Sequence, residues 1–166
     1  TGDGNTAIGY QAALNATTVS NTIAIGNAAI GSGVLTGDDN VAIGRLAGND
    51  LTSGTYNNFM GLQAGANVTT GTGNVFQGYQ AGEFTTTANY SIAIGYSAIS
   101  LGVLTGTDNT AIGRQAGNDL TSGTYNNFMG YRAGYNATTA SHTIAIGNAA
   151  IGLGILTGTD NTAIGR

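Results

Sequence analysis

Four residue types in this chain recur, or stand alone, in places where they could do chemistry. Asp38, Asp39, Asp108 and Asp160 follow Leu-Thr-Gly, and Asp50 and Asp119 close Ala-Gly-Asn-Asp. Carboxylates and turn carbonyls are the oxygen donors that calcium takes. The spacing, however, fits neither an EF-hand loop nor the nonapeptide repeat of calcium-binding β-rolls. Aspartates that hold a turn through backbone hydrogen bonds are the favoured reading. Arg45, Arg114 and Arg166 each stand six positions after an aspartate, namely Asp39, Asp108 and Asp160. Arg–Asp pairs are expected there, worth about 0–1 kcal/mol if exposed; contact with a sialic acid or phosphate is the alternative. Tyr10, Tyr79, Tyr96 and Tyr131 share one phase of a repeat. They could form an aromatic strip for carbohydrate or protein, or pack at a subunit edge. The only histidine, His142, takes the slot of Asn21 and Tyr90 in sister segments and reads as a polar turn residue.

Other chemistry is scarce. There is no Cys and no Lys, so thiolate metal sites, disulfides, Schiff bases and Walker-type phosphate binding are excluded. Eight acids spread mostly over turns do not form the paired carboxylates of a glycan-cleaving cleft. The residues imply no catalytic group, no cofactor and no metal, and a chain that is not an enzyme. A net charge of −4 with four Arg carries no nucleic-acid footprint. No apolar run reaches the ~20 residues of a membrane helix, so this segment is expected not to insert in a membrane. Asn15, Asn67, Asn89 and Asn136 match the glycosylation acceptor pattern, which chance produces readily in an Asn/Thr-rich chain. Thr-x-Thr occurs at 70–72, 85–87, 105–107 and 157–159 but not at one phase, so no continuous ice-binding array is expected.

The elements that must position these residues follow from a repeat. The markers are Gly9, Gly26, Gly44, Gly61, Gly78, Gly95, Gly113, Gly130, Gly147 and Gly165. They recur at intervals of about 17–18 residues, and a fixed short period of this kind identifies a solenoid or array. Counted from each glycine, position −1 is Ile8, Ile25, Ile43, Met60, Gln77, Ile94, Ile112, Met129, Ile146 and Ile164. Position −2 is Ala or Phe, and position −4 is Asn, Thr or Ser. Segment types recur in a longer cycle of about 52 residues, with one extra segment at 74–89. The whole of 1–166 is one repeat array, and both ends fall inside a repeat, as expected for a section of a longer fibre.

Helix is disfavoured by the absence of a 3.6-residue apolar period and by the frequent glycines. Neighbouring side chains on a strand point to opposite faces, and both −1 and −2 are apolar. The strand is therefore covered on both sides. One face can close a coil; the other needs a second layer, most economically another chain. The expected fold is all-β: a parallel β-solenoid (β-roll) of about ten coils, each of roughly 17–18 residues. Each coil has room for two short strands and two turns. Asn, Thr and Gly at corners are expected to form ladders along the rod.

The stretches NTIAIGNAAIG (21–31), YSIAIGYSAIS (90–100) and HTIAIGNAAIG (142–152) resemble the YadA-like head repeats of trimeric autotransporter adhesins. NTAIGYQAALNATT and NVFQGYQAGEFTTT are similar to the NTAIGYQAG-type repeats of phage tail fibres. The resemblance spans essentially the whole chain. It implies three β-rolls around a threefold axis, extracellular, on a cell surface or virion. The adhesin repeats are shorter, so the turns here must be longer. The expected function is a structural and adhesive fibre segment. It would be a homotrimer whose assembly core is the −1 column, Ile8, Ile25, Ile43, Met60, Ile94, Ile112, Met129, Ile146 and Ile164. Tyr10, Tyr79, Tyr96, Tyr131, Arg45 and Arg114 are the candidate contacts to a host-surface glycan or protein. A single-chain solenoid with a ligand-binding face is the alternative.

Overall fold

A computed structural model describes residues 2–152 and 154–166. It contains ten three-residue strands, one per coil: β1 (Thr6–Ile8), β2 (Ile23–Ile25), β3 (Val41–Ile43), β4 (Asn58–Met60), β5 (Val75–Gln77), β6 (Ile92–Ile94), β7 (Thr110–Ile112), β8 (Asn127–Met129), β9 (Ile144–Ile146) and β10 (Thr162–Ile164). They form one parallel sheet in chain order. The chain is a β-solenoid with a repeat of about 17 residues, the short fixed period of that architecture.

Register follows from the period. Ile25 stands opposite Ile8 and Ile43, and Ile94 opposite Ile112, so like residues stack on like. The recurrent glycine extends the ladder past each strand: Gly44 N–H donates to Ile25 O at 2.7 Å and Gly61 N–H to Ile43 O at 2.8 Å. The remainder of the coil bonds to its neighbours as well. Leu46 N–H donates to Asn27 O at 2.9 Å, and Gly48 N–H to Ala64 O at 3.0 Å. Backbone groups that a loop would leave to water are satisfied by the next turn of the rod.

The expectation of two strands per coil is not met; among the described residues each coil holds one named strand. The reason is local conformation. In one coil Asp39, Gly44, Leu46 and Gly48 all have positive φ, at 59°, 134°, 60° and 56°. Each such residue turns the chain, and in the remaining stretch the N–H groups of Thr52, Ser53 and Gly54 all converge on one acceptor, Thr69 O, in place of a regular ladder. Three of the four are in the left-handed region that Asn, Asp and Gly favour and that other side chains enter at a cost. Gly44 is different, because at φ 134° a Cβ would lie 2.4 Å from Gly61 O. Only glycine fits that point of coil-to-coil approach.

The core runs down the inside of the coils. Position −2 points inward: Ala24, Ala42, Phe59, Phe76, Ala93, Ala111, Phe128 and Ala145 are all fully buried. Volume is traded within several coils, and at Gly48 and Gly117 with the Phe of the next coil. Where position −2 is Phe59 or Phe76, position +4 is Gly65 or Gly82, and a Cβ there would strike the ring at 2.7 or 2.4 Å. Where it is Ala24 or Ala93, Ile30 or Ile99 fills the space, fully buried. Phe59 and Phe76 stack at 5.4 Å between ring centroids. A second column, Leu51, Val68, Leu104 and Leu120, completes the apolar interior.

Position −4 forms a buried amide ladder, as expected for the corner Asn residues. Asn57 Nδ2 donates to Asn40 Oδ1, and Asn74 Nδ2 to Asn57 Oδ1, both at 3.1 Å. The second pass repeats it between Asn126 and Asn109 at 2.9 Å.

Candidate functional site

Two surfaces of the coil carry the candidate residues: the outward face of the sheet and the turn that follows the recurrent glycine.

On the sheet, positions −1 and −3 point outward. The alanines are inside the coil, so the outer surface is left to position −1 and to Ile23, Val41, Val75, Ile92 and Ile144 at position −3. Ile25, Ile43, Ile94 and Ile112 are half-buried by their ladder neighbours. Met60 and Met129 keep 40% and 42% of their surface exposed, and Ile146 keeps 39%. Ile8 and Ile164 are more open because they lie on the end coils. The result is an uncharged strip two side chains wide: position −1 is apolar except at Gln77, and position −3 mixes its apolar residues with Thr6, Asn58, Thr110, Asn127 and Thr162. With ten strands ~4.8 Å apart it is about 43 Å long. No Asp, Glu, Lys or Arg stands in any of the ten strands.

The turn after the glycine carries the tyrosines. Tyr79 and Tyr96 stack at 5.0 Å, one coil apart. Arg114 follows one coil later and lies 4.6 Å from the ring centroid of Tyr131. Arg132 stands over both Tyr131 and Tyr135, at 5.2 and 5.1 Å, and its Nε donates to Gln115 Oε1 at 2.9 Å. These form an exposed aromatic–guanidinium ridge, a cation–π arrangement between successive coils. Tyr10 and Arg45 lie at the same phase, exposed on their own coils.

The expected Arg–Asp pairing is not found among the described residues. Arg114 lies over Tyr131, while Asp108 Oδ2 accepts from Thr107 Oγ1 at 2.8 Å. Other aspartates act on the preceding coil. Asp38 Oδ1 accepts from Ser20 N–H at 2.7 Å, and Asp39 Oδ1 from Asn21 Nδ2 at 3.2 Å. Both are corner contacts, formed between coils and not within one turn. His142 stacks on Tyr125 at 5.1 Å, in the column one residue before the Asn ladder. Three of the glycosylation-type asparagines are used structurally: Asn15 donates to Gly31 O and Ser32 O, Asn67 to Glu83 O, and Asn89 Oδ1 accepts from Thr72 N–H.

One feature is not legible in the repeat. A cavity of about 230 Å³ opens across three coils, lined by Gln80, Glu83 and Phe84, by Tyr96, Ser97, Ser100 and Leu101, and by Gln115 and Asn118. Glu83 is only 7% exposed and Asn118 is fully buried. Burial pushes the Glu83 carboxyl above its usual range, and a hydrogen bond from Gln80 partly offsets this. The only sequence signal is that Glu83 is the sole glutamate in the chain, in the one segment that breaks the three-type cycle.

No protein-family model, curated protein or solved structure matches this chain.

Proposed function

We propose that this chain is a segment of an extracellular homotrimeric fibre, on a cell surface or a virion, that gives a stiff rod and multivalent attachment. It acts mechanically and is not an enzyme. The observation that carries this is the outward strip of the sheet, free of charge over ten coils and with Ile or Met at position −1 in nine of them. A strip of that length and one-coil periodicity is matched best by a partner with the same period, and a second copy of the chain has it. The motif resemblance in 21–31, 90–100 and 142–152 supports three copies around an axis. Covering a half-exposed Ile or Met is worth about 1 kcal/mol, and the gain repeats at every coil. Three identical ridges of Tyr and Arg would then bind a repeated host-surface glycan or protein with avidity.

Light scattering on the purified segment tests the assembly. The expected mass is three times the 16.5 kDa of one chain. Ile25→Asp and Ile146→Asp each place a carboxylate on the strip and are expected to yield monomer. A well-folded trimer from either variant would refute the interface.

The exposed ridge itself supports a second reading, a single-chain solenoid that binds through Tyr79, Tyr96, Arg114 and Tyr131. A monomer by scattering that still binds glycan arrays would favour it.

A further inference from the structure

The cavity at the sixth coil has an internal control in the second coil. The two places share a backbone arrangement. Asn49 Nδ2 donates to Ala28 O at 2.9 Å, and Asn118 Nδ2 donates to Ser97 O at 2.8 Å. Ser32 N–H donates to Asn49 O at 3.0 Å, and Leu101 N–H to Asn118 O at 2.9 Å. They differ at the other end of the amide. Ser32 Oγ donates to Asn49 Oδ1 at 2.7 Å. At the corresponding place Leu101 has no hydroxyl, and Asn118 Oδ1 is buried with no partner among the described residues. The Nδ2–Ser97 O bond fixes which way the amide points, so the free atom is the acceptor. Leaving it unmade costs the full desolvation of that oxygen.

The surroundings narrow what could satisfy it. Asn118 Oδ1 requires a donor. The carboxyl of Glu83 is a second buried acceptor, held by Gln80, which disfavours an anion. Ser97, Ser100 and Gln115 add groups that both donate and accept. The rim is apolar, with Phe84 and Tyr96 both partly exposed and Tyr96 backed by Tyr79. A volume of about 230 Å³ is below the roughly 300–1,000 Å³ of sites for drug-sized ligands and suits a single small ring. A pyranose offers hydroxyl donors on its edge and C–H faces for aromatic rings.

We propose that this notch, lined by Glu83, Tyr96, Leu101 and Asn118, is a binding site for one neutral sugar ring whose hydroxyl donates to Asn118 Oδ1. The proposal rests on the attachment reading above for its setting, but the site is complete within one chain.

The test is a titration with the methyl glycosides of glucose, galactose and N-acetylglucosamine, and with methylammonium as a cationic comparator. Two signals are followed: saturation transfer to the probe and the shift of the Asn118 side-chain amide resonance. At least one glycoside is expected to give saturation transfer and move that resonance, while the Asn49 amide stays still. Leu101→Ser copies the second coil, supplies an internal donor to Asn118 and is expected to weaken binding at least about tenfold. Leu101 is exposed, so the exchange should leave the fold intact. Equal affinity in Leu101→Ser, a response to methylammonium alone, or no shift with any probe would each overturn the proposal. Light scattering on the same samples separates the two ideas. A trimer that binds no sugar refutes the notch, and a monomer that binds sugar refutes the fibre.

Discussion

The side-chain amide of Asn57 donates to Asn40 Oδ1 at 3.1 Å while Asn57 N–H donates to the same oxygen at 3.0 Å. Asn57 Nδ2 also reaches Gly71 O at 2.8 Å, and its own Oδ1 accepts from Asn74 N–H at 3.0 Å. One buried side chain thus ties three successive coils. It works because the repeat interval brings the same amide to the same corner each time.

Asn57→Ala breaks this ladder in the middle. It strands Gly71 O and Asn74 N–H in a buried site. The expected loss is about 2–4 kcal/mol, from at least two unsatisfied buried groups. Chemical denaturation with circular dichroism measures it. A loss of only about 0.5 kcal/mol or less, the range of an ordinary surface substitution, would show that the ladder does not hold the coils.

Gly44→Ala should be among the most damaging small substitutions. A Cβ at 2.4 Å from Gly61 O cannot be relieved by rotating a side chain, and φ 134° is closed to alanine. A cost of at least about 3 kcal/mol is expected. Gly152→Ala is the control: it has φ 54° and nothing within 4 Å of its Cβ among the described residues, so about 1 kcal/mol is expected. Melting temperatures of the two variants should therefore differ clearly, and equal values would reject the close-approach argument.

Thr85 is fully buried, and its Oγ1 has no hydrogen-bond partner among the described residues. It lies seven positions after Gly78, as Val68 does after Gly61 and Leu120 after Gly113, where the column is apolar. Thr85→Val keeps the shape and removes the unpaired hydroxyl. Stabilisation by about 1 kcal/mol is expected, read from the denaturation midpoint. A destabilised variant would mean that the hydroxyl has a partner.

Glu83 gives the pH dependence a sign. Its carboxyl is raised above the ordinary 4.5, first by burial, with Gln80 opposing. Below that ordinary value it is protonated in both folded and unfolded chains, and burial costs nothing extra. As pH rises from the ordinary value through the raised one, the unfolded chain ionises first, and that part of the stability is lost. Glu83→Gln stays neutral and keeps an acceptor for Gln80. Its melting temperature should match wild type at about pH 4 and exceed it at about pH 7. A gap that closes as pH rises would reverse the sign and refute the assignment.

The amino-acid sequence by itself determined what stacks on what. A near-constant interval of about 17–18 residues places Ile on Ile, Asn on Asn and glycine on glycine, because a stacked coil must meet its neighbour at the same phase. It also showed that the strand has two apolar faces, since −1 and −2 alternate across it. Only the tertiary structure decided which face is inside. That choice is made by the positive-φ residues Asp39, Leu46 and Gly48, and by their counterparts, which set the direction in which each coil closes. Two of these three are not glycine, so composition did not reveal them. Only the tertiary structure showed one strand per coil among the described residues and Arg114 over Tyr131. It also showed Glu83, Leu101 and Asn118, from three coils, lining one cavity, with Asn118 Oδ1 unpaired among the described residues. A period reports on residues that share a phase. It is silent about residues at different phases, whose meeting depends on the path of the chain between them.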